Sequence, residues 1–281
     1  MKGFKKAFTL VEVSLFLALS GFLMIGLIIG ANMSISRQRY NDTVNSFAEF
    51  IRGVYSDVLN VSNDKVPSSK EDGEDAGRTG KAVYGKLIVI GDPGTAPSEI
   101  YTYDVVGKAV NSSEITGENT LQDLISLGIN IAYLDSVNKN IPYKETRYIL
   151  PWDGVIEASN SNNLRRDAIL IVRSPSSGSI VTYSLNPSAS PTPNLAFRAA
   201  FAGAADARNR FTQLLSNFQS NQNIDLCVDS PDNTNKFRRD VRINAGANNS
   251  SFVEEVALDN ETENKCKDSA GRPGDVIMEG E

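Results

Sequence analysis

The chain has 281 residues and a formal net charge of -6, so as a whole it is not built to coat nucleic acid. Its length allows one large domain or two small ones with a substantial core. Histidine is absent, which excludes a Ser-His-Asp triad, a Cys-His pair and imidazole metal ligands. We predict that the protein is not an enzyme and that it holds no metal or cofactor.

An apolar segment follows a short basic N-terminus. From Phe8 to Ala31 the only ionisable side chain is that of Glu12. As a helix, this segment would be roughly 36 Å long, which is enough to span the hydrocarbon core of a bilayer. The preceding lysines place the N-terminus in the cytoplasm and the rest of the chain outside, by the positive-inside rule: Lys2, Lys5 and Lys6.

Three interpretations of this segment compete. It is a plain signal anchor, a secretory signal peptide cleaved near Ala18 to Gly21, or a helix in which Glu12 has a partner. A carboxylate within a spanning helix costs on the order of 3 kcal/mol, and its position near the helix N-terminus offsets only part of that cost. The first two interpretations do not explain why a carboxylate is present at Glu12.

The sequence KKAFTLVEVSLFLALSG resembles the N-terminus of type IV prepilins and type II secretion pseudopilins. In those families a basic leader precedes Phe-Thr-Leu-(Val/Ile)-Glu, which residues 8–12 match. The resemblance implies that prepilin peptidase cleaves between Ala7, where the family usually has Gly, and Phe8, and that it methylates the new amine of Phe8. It also implies that Glu12 pairs with the amine of Phe8 on a neighbouring subunit. Two charges that are each costly in an apolar medium become tolerable when they neutralise one another.

The same helix is predicted to continue beyond the membrane, because no proline occurs before Pro67. We predict a helix over residues 8–60. Residues 8–31 form its transmembrane and filament-core half, and residues 32–61 form an amphipathic half that packs on a head. The amphipathic half carries an apolar stripe with steps of four and three: Tyr40, Val44, Phe47, Ile51, Val54 and Val58.

Residues 62–82 are polar and rich in Gly, Ser and acidic side chains, which predicts a linker loop. Residues 83–281 are predicted to form a globular, β-rich head. The segment TLQDLISLG predicts a short helix capped by Thr120 and closed at Gly128. The strand signals, the last of them a hairpin, lie at 83–90, 99–106, 129–134, 147–152 and 168–185.

A second helical pattern and two cysteines occupy the C-terminal third. The apolar residues of this pattern run from Phe197 to Phe218 in steps of four and three. Cys227 and Cys266 bracket a polar stretch, and outside the membrane we expect them to be bridged, unless the exterior is reducing. This bridge would staple the loop region 227–266, as in many pilins. The segment NKFRRDVRIN predicts an amphipathic strand with solvated arginines, with DNA binding as the alternative.

These patterns predict an α+β fold: a long N-terminal helix against an antiparallel β-sheet head, with a second helix and a disulfide-stapled C-terminal region. The resemblance implies a pilin, stored in the inner (cytoplasmic) membrane and polymerised into a cell-surface filament for adhesion, motility or DNA uptake. The size of the chain, its second helix and its elaborate C-terminal region favour a minor pilin over a major one. The implied partners are other pilin subunits, prepilin peptidase, the assembly platform with its ATPase, and a surface or DNA ligand. The alternatives are a pseudopilin of a type II secretion system and a membrane-tethered extracytoplasmic binding protein.

The first prediction concerns processing. In cells with active prepilin peptidase, the mature chain should begin at N-methylated Phe8, because the basic leader and the Phe-Thr-Leu-Val-Glu motif together resemble the substrate of that enzyme. Mass spectrometry of the N-terminal peptide measures this directly. A chain that keeps residues 1–7 in such cells would contradict the resemblance.

Overall fold

The computed structural model describes ten segments of the chain, and the statements below concern these residues. The chain divides into two units, Met1–Asp42 and Thr43–Glu281. The described segments are residues 9–60, 81–90, 98–108, 115–117, 119–131, 146–158, 167–185, 207–220, 223–229 and 238–255.

The fold is α+β, with three α-helices and eleven strands in the described residues. The helices are α1 Leu10–Leu59, α2 Thr120–Ser126 and α3 Ala207–Leu215. The strands are β1 Lys81–Ile90, β2 Glu99–Lys108, β3 Asn130–Ile131, β4 Thr146–Ile149, β5 Val155–Ala158, β6 Asp167–Arg173, β7 Ile180–Leu185, β8 Phe218–Gln219, β9 Ile224–Asp229, β10 Arg238–Ile243 and β11 Val253–Glu255.

Helix α1 is continuous over 50 residues, which confirms the predicted long helix. The predicted stripe is buried along its whole length, from Tyr40 at 3% exposure to Val58 at 0%. Thr43, Ala48 and Tyr55 are buried as well. From Thr43 onward, α1 is therefore a core element of the head.

The larger sheet has seven strands, and all of its pairings are antiparallel as predicted. Its order is β3-β2-β1-β6-β7-β8, and β4 pairs with the other half of β2. The predicted hairpin is formed by β6 and β7, which pair from Ile169 and Ser184 to Arg173 and Ile180. The pairing of β6 with β7 is local in the sequence. Strand β8, which pairs with β7, comes from a distant part of the sequence.

Both faces of the larger sheet are covered. On one face Leu87, Tyr103 and Leu170 form a cluster with Leu124 of α2 and Phe211 of α3. On the opposite face the neighbouring strand residues are fully buried too. Strands that are buried on both sides need apolar residues at successive positions, which explains the unbroken runs LIVI in β1 and AILIV in β6.

Helix α1 packs on that second face and is fixed there by polar bonds. The Tyr55 hydroxyl and Thr182 Oγ1 lie 2.6 Å apart, and Thr182 Oγ1 donates to Ala247 O at 2.8 Å. Arg52 Nη2 donates to Val253 O at 3.0 Å, which joins α1 to β11. Because buried polar groups are costly unless they are bonded, these contacts specify how the helix sits on the head.

Three C-terminal strands and β5 form a second, four-stranded sheet with the order β11-β10-β9-β5. Cys227 lies in β9 and is 2% exposed, so the predicted loop region begins inside a strand. Cys266 lies outside the described residues, and the disulfide stays a prediction. The pairing of β5 with β9 is long-range and was not predicted from the sequence.

The strand predicted in NKFRRDVRIN is confirmed as β10, but the expectation of solvated arginines is wrong for Arg242. Its guanidinium contacts Asp225 at 2.6 Å and Asp240 at 3.2 Å, and its side chain is 12% exposed. The two carboxylates flank it on β9 and β10, so Arg242 is a structural ion-pair residue rather than a free cation.

Two further boundaries differ from the prediction. Helix α2 is capped by Asn119 rather than Thr120: Asn119 Oδ1 accepts from the backbone N–H of Leu121 at 3.0 Å. Gly128 follows the helix with φ +62, the left-handed conformation that glycine adopts without strain. Strand β1 begins at Lys81, and the rest of the predicted linker lies outside the described residues.

The second prediction concerns Tyr55, whose burial raises the pKa of its hydroxyl to about 12. Between pH 10 and 12 the unfolded chain loses this proton while the folded chain keeps it, so stability falls as pH rises through this window. We expect Tyr55→Phe to cost about 1 kcal/mol at pH 8 because of the lost bond to Thr182. Between pH 8 and pH 11.5 the free energy of unfolding of the wild type should fall by about 2 kcal/mol more than that of the variant, because the variant lacks this titrating hydroxyl.

Denaturant unfolding of the full chain in detergent at both pH values measures this difference. Lysines and the other tyrosines titrate in the same range, and comparison of the two proteins cancels their contribution. Equal losses of stability in wild type and Tyr55→Phe would contradict the assignment of a buried, bonded Tyr55.

Candidate functional site

The first half of α1 presents apolar side chains to solvent on every side. The large apolar side chains that are described there are exposed by 45% or more, from Leu10 at 86% to Ile35 at 45%. The helix is long and apolar enough to span a membrane, by its length and composition. Contiguous apolar surface of this extent on a protein marks contact with lipid or with other protein chains.

Glu12 is the one carboxylate of this surface, and its nearest partner is Thr9. Glu12 Oε2 accepts from the Thr9 backbone N–H at 2.9 Å and from Thr9 Oγ1 at 3.1 Å. In return the Glu12 backbone N–H donates to Thr9 Oγ1 at 3.3 Å. This reciprocal arrangement is a capping box, with Thr9 at the N-cap and Glu12 at the third helical position.

The capping box explains how an isolated subunit tolerates the carboxylate. It bonds two otherwise unsatisfied backbone N–H groups, and it places a negative charge at the positive end of the helix dipole. Both bonds use Oε2, and within the described residues no group donates to Oε1 and no cation pairs with Glu12. The box is therefore local stabilisation that leaves the charge of Glu12 without a counter-charge in the described chain.

The remaining predicted site residues are not brought together in the described residues. Ala7 and Phe8, the predicted cleavage and methylation site, lie outside them, as does Cys266. Cys227 is buried in β9, in the other unit of the chain. The residue that sequence reasoning missed is Thr9, although the spacing Thr-x-x-Glu before an apolar run is a readable signature of a capping box.

The described residues of the head contain no cluster of side chains that could hold a metal ion. No group of three or more His, Cys, Asp or Glu side chains is placed there to hold a metal ion. In the basic segment around β10, Arg242 is occupied by Asp225 and Asp240. The candidate functional site is therefore the exposed apolar surface of α1.

No protein-family model, curated protein or solved structure matches this chain. The architecture itself, a long apolar N-terminal helix followed by an antiparallel sheet, is compatible with a pilin-like layout.

Proposed function

We propose that this protein is a filament subunit of the type IV pilin kind, which is stored in a membrane through the first half of α1 and polymerises through the same surface. The observation that carries the proposal is an apolar helix surface with a single carboxylate at its third position and no counter-charge in the described chain. The resemblance of residues 8–12 to the prepilin motif supplies the partner: the amine of Phe8 on a neighbouring copy.

The exposure of α1 supports two states of the same surface. In a membrane its apolar side chains are covered by lipid, and the capping box of Thr9 and Glu12 satisfies the helix end. In a filament the side chains are covered by α1 helices of other copies. Lipid tails and leucine side chains are similarly apolar, so exchange between the two states has little hydrophobic cost, and specific contacts decide it.

Glu12 is the specific contact in this proposal. A carboxylate that is moved from the membrane edge into a bundle of apolar helices must gain a partner, because an unpaired buried charge is strongly unfavourable. The amine at Phe8, created by cleavage after Ala7, is four residues from Glu12 and would lie at the same end of the helix. In this proposal the pair forms between copies that are in the correct register.

The proposed role is structural, as a minor pilin with no enzymatic activity of its own. The double-layered head supports it: with a sheet covered on both faces and a second sheet at the C-terminus, it is an elaborate display domain. Prepilin peptidase, the assembly platform and its ATPase would be its partners. Under this proposal adhesion, motility or DNA uptake is the work of the filament.

The third prediction separates the charge of Glu12 from its capping role. Glu12→Ala removes both, Glu12→Gln keeps an acceptor for the Thr9 N–H but removes the charge, and Thr9→Val keeps the charge but removes the hydroxyl. We expect both Glu12 variants to enter filaments at least about a hundredfold less than wild type, since breaking a buried pair costs about 3–5 kcal/mol. Thr9→Val should lose less than about tenfold, since a cap contributes about 1 kcal/mol.

The measurement is quantitative immunoblotting of sheared filaments against the membrane fraction, with each variant expressed beside the wild-type assembly machinery. All three variants should stay in the membrane and should be cleaved after Ala7. Normal incorporation of Glu12→Gln together with loss of Thr9→Val would show that Glu12 is only a helix cap, and would overturn the pairing mechanism.

A further inference from the structure

A short motif for glycan attachment occurs at several places in the chain. The tripeptide Asn-x-Ser/Thr, in which x is any residue except proline, is called the sequon here. In exported proteins it marks asparagine side chains to which a glycan is joined through the amide nitrogen. So short a motif also arises by chance, and the local structure has to distinguish an acceptor from a coincidence. Sequons begin at Asn32, Asn41, Asn60, Asn111, Asn248, Asn249 and Asn260.

The sequon at Asn249 lies in the loop that joins β10 to β11. This loop spans residues 244–252, and its middle is tied to the larger sheet, because Thr182 Oγ1 of β7 donates to Ala247 O at 2.8 Å. After the buried Ala247 the chain returns to the surface, where Asn249 is partly exposed and Ser251 is exposed. The sequon is therefore held in a fixed loop and is accessible from outside.

Both polar hydrogens of Ser251 point at the same oxygen of Asn249. Asn249 Oδ1 accepts from the Ser251 backbone N–H at 2.8 Å and also from the Ser251 hydroxyl. The amide nitrogen of the same side chain, Nδ2, donates to Asn248 Oδ1 at 2.9 Å, which holds the amide in one orientation. Asn249 also caps the 3₁₀ helix of residues 250–252, but a cap requires only the backbone N–H. The hydroxyl bond goes beyond capping, and it uses the residue that completes the sequon.

This arrangement favours the form of the amide that acts as a nucleophile. A neutral amide nitrogen is weakly nucleophilic because its lone pair is delocalised into the carbonyl group. When Nδ2 loses a proton, the negative charge is shared with Oδ1, and donors that already point at this oxygen stabilise the charged form. Removing one such preorganised donor from an enzyme typically costs about 10²- to 10³-fold in rate. The N–H and the hydroxyl of Ser251 hold this position relative to Asn249 Oδ1.

The other sequons that the structure describes in full lack this geometry. Those that begin at Asn32 and Asn41 lie within α1, so the backbone N–H of the third residue is used by the helix. Thr43, the third residue of the second one, is 1% exposed, and its hydroxyl donates to a backbone carbonyl at 3.0 Å. In the overlapping sequon, Asn248 Oδ1 accepts from Nδ2 of Asn249 instead. The remaining sequons extend outside the described residues.

We propose that Asn249 is the attachment site of an asparagine-linked glycan, with a polyprenyl pyrophosphate sugar as the donor and an oligosaccharyltransferase as the enzyme. In this step Nδ2 of Asn249 forms a bond to the anomeric carbon of the sugar, and its proton passes to a base of the transferase. The bond between the anomeric carbon and the pyrophosphate oxygen breaks, and its electron pair leaves with polyprenyl pyrophosphate. The inference requires export of the head, which the basic N-terminus predicts, and it does not require polymerisation.

The first experiment uses the folded full chain in detergent, a purified oligosaccharyltransferase that accepts Asn-x-Ser/Thr, and polyprenyl pyrophosphate that carries N-acetylglucosamine. Site-resolved mass spectrometry follows the glycan at each sequon over time. We expect Asn249 to be modified at least about tenfold faster than Asn41 or Asn248, since among the described sequons both donors converge on Oδ1 only at Asn249. Equal rates at Asn248 and Asn249 would overturn the inference. Conversion of Asn249 to aspartate without a glycan would identify deamidation as its chemistry and would also overturn it.

Three variants separate the sequon of Asn249 from the overlapping one. Ser251→Ala removes the hydroxyl but leaves the sequon of Asn248 complete, and transfer to Asn249 should fall at least about tenfold. Ser251→Thr restores a hydroxyl and should restore transfer. Ser250→Ala destroys the sequon of Asn248 and keeps that of Asn249, so it is the matched control and should be modified like wild type. All three should unfold at the wild-type temperature, because the bond from the backbone N–H of residue 251 to Asn249 is kept. Loss of transfer in Ser250→Ala, or full transfer in Ser251→Ala, would overturn the inference.

The second experiment examines cells that export the chain and contain such a transferase. The peptide that includes Asn249, taken from the membrane fraction, should carry a glycan on this residue in wild type and equally in Glu12→Gln. Glycosylated Asn249 on a chain that never enters filaments would support this inference and refute the proposed function. An unmodified Asn249 on chains that do enter filaments would refute this inference and leave the proposed function intact.

Discussion

The apolar first half of α1 cannot remain in water, and the rest of the molecule is arranged around that constraint. The helix is continuous to Leu59, and from Thr43 onward it belongs to the head, where its apolar residues from Val44 to Val58 are buried. A single element therefore serves two environments. Its first half must be covered by lipid or by other chains, and its second half is covered by its own head.

The capping box changes how Glu12 is understood. A carboxylate in an apolar segment is energetically costly, yet here it caps the helix together with Thr9 of the same chain. That role explains how a single copy of the chain tolerates the residue. It does not provide a counter-charge, and the proposal assigns this second requirement to the amine of Phe8 on another copy.

Much of the fold could be predicted because its signals are local. The stripe of α1 and the β6–β7 hairpin depend on the period of apolar residues and on a turn, both of which are legible over a few residues. The sequence does not decide between Asn119 and Thr120 as the cap of α2, because both side chains can cap a helix. Nearby bonds between Asp123 and the backbone of Thr116 and Gly117, at 3.0 and 3.1 Å, order the segment that leads into the cap.

What could not be predicted depends on contacts between distant residues. The pairing of β5 with β9 and the burial of Arg242 between Asp225 and Asp240 arise only when separate strands meet. The left-handed backbone of Trp152 is similarly invisible, because tryptophan has no preference for it and the packing of Gly154 against Thr43 accompanies it. For the candidate site, Glu12 stood out by composition, whereas the partner proposed for it, the amine of Phe8 on another copy, would belong to an assembly that a single chain does not contain.

The most direct measurement of the central claim is a cryo-electron microscopy reconstruction of the assembled filament at side-chain resolution. We expect the carboxylate of Glu12 to lie within about 4 Å of the methylated amine of Phe8 on an adjacent copy, inside a bundle of α1 helices. A filament in which Glu12 contacts only Thr9 of its own chain, with the amine of Phe8 elsewhere, would contradict the account.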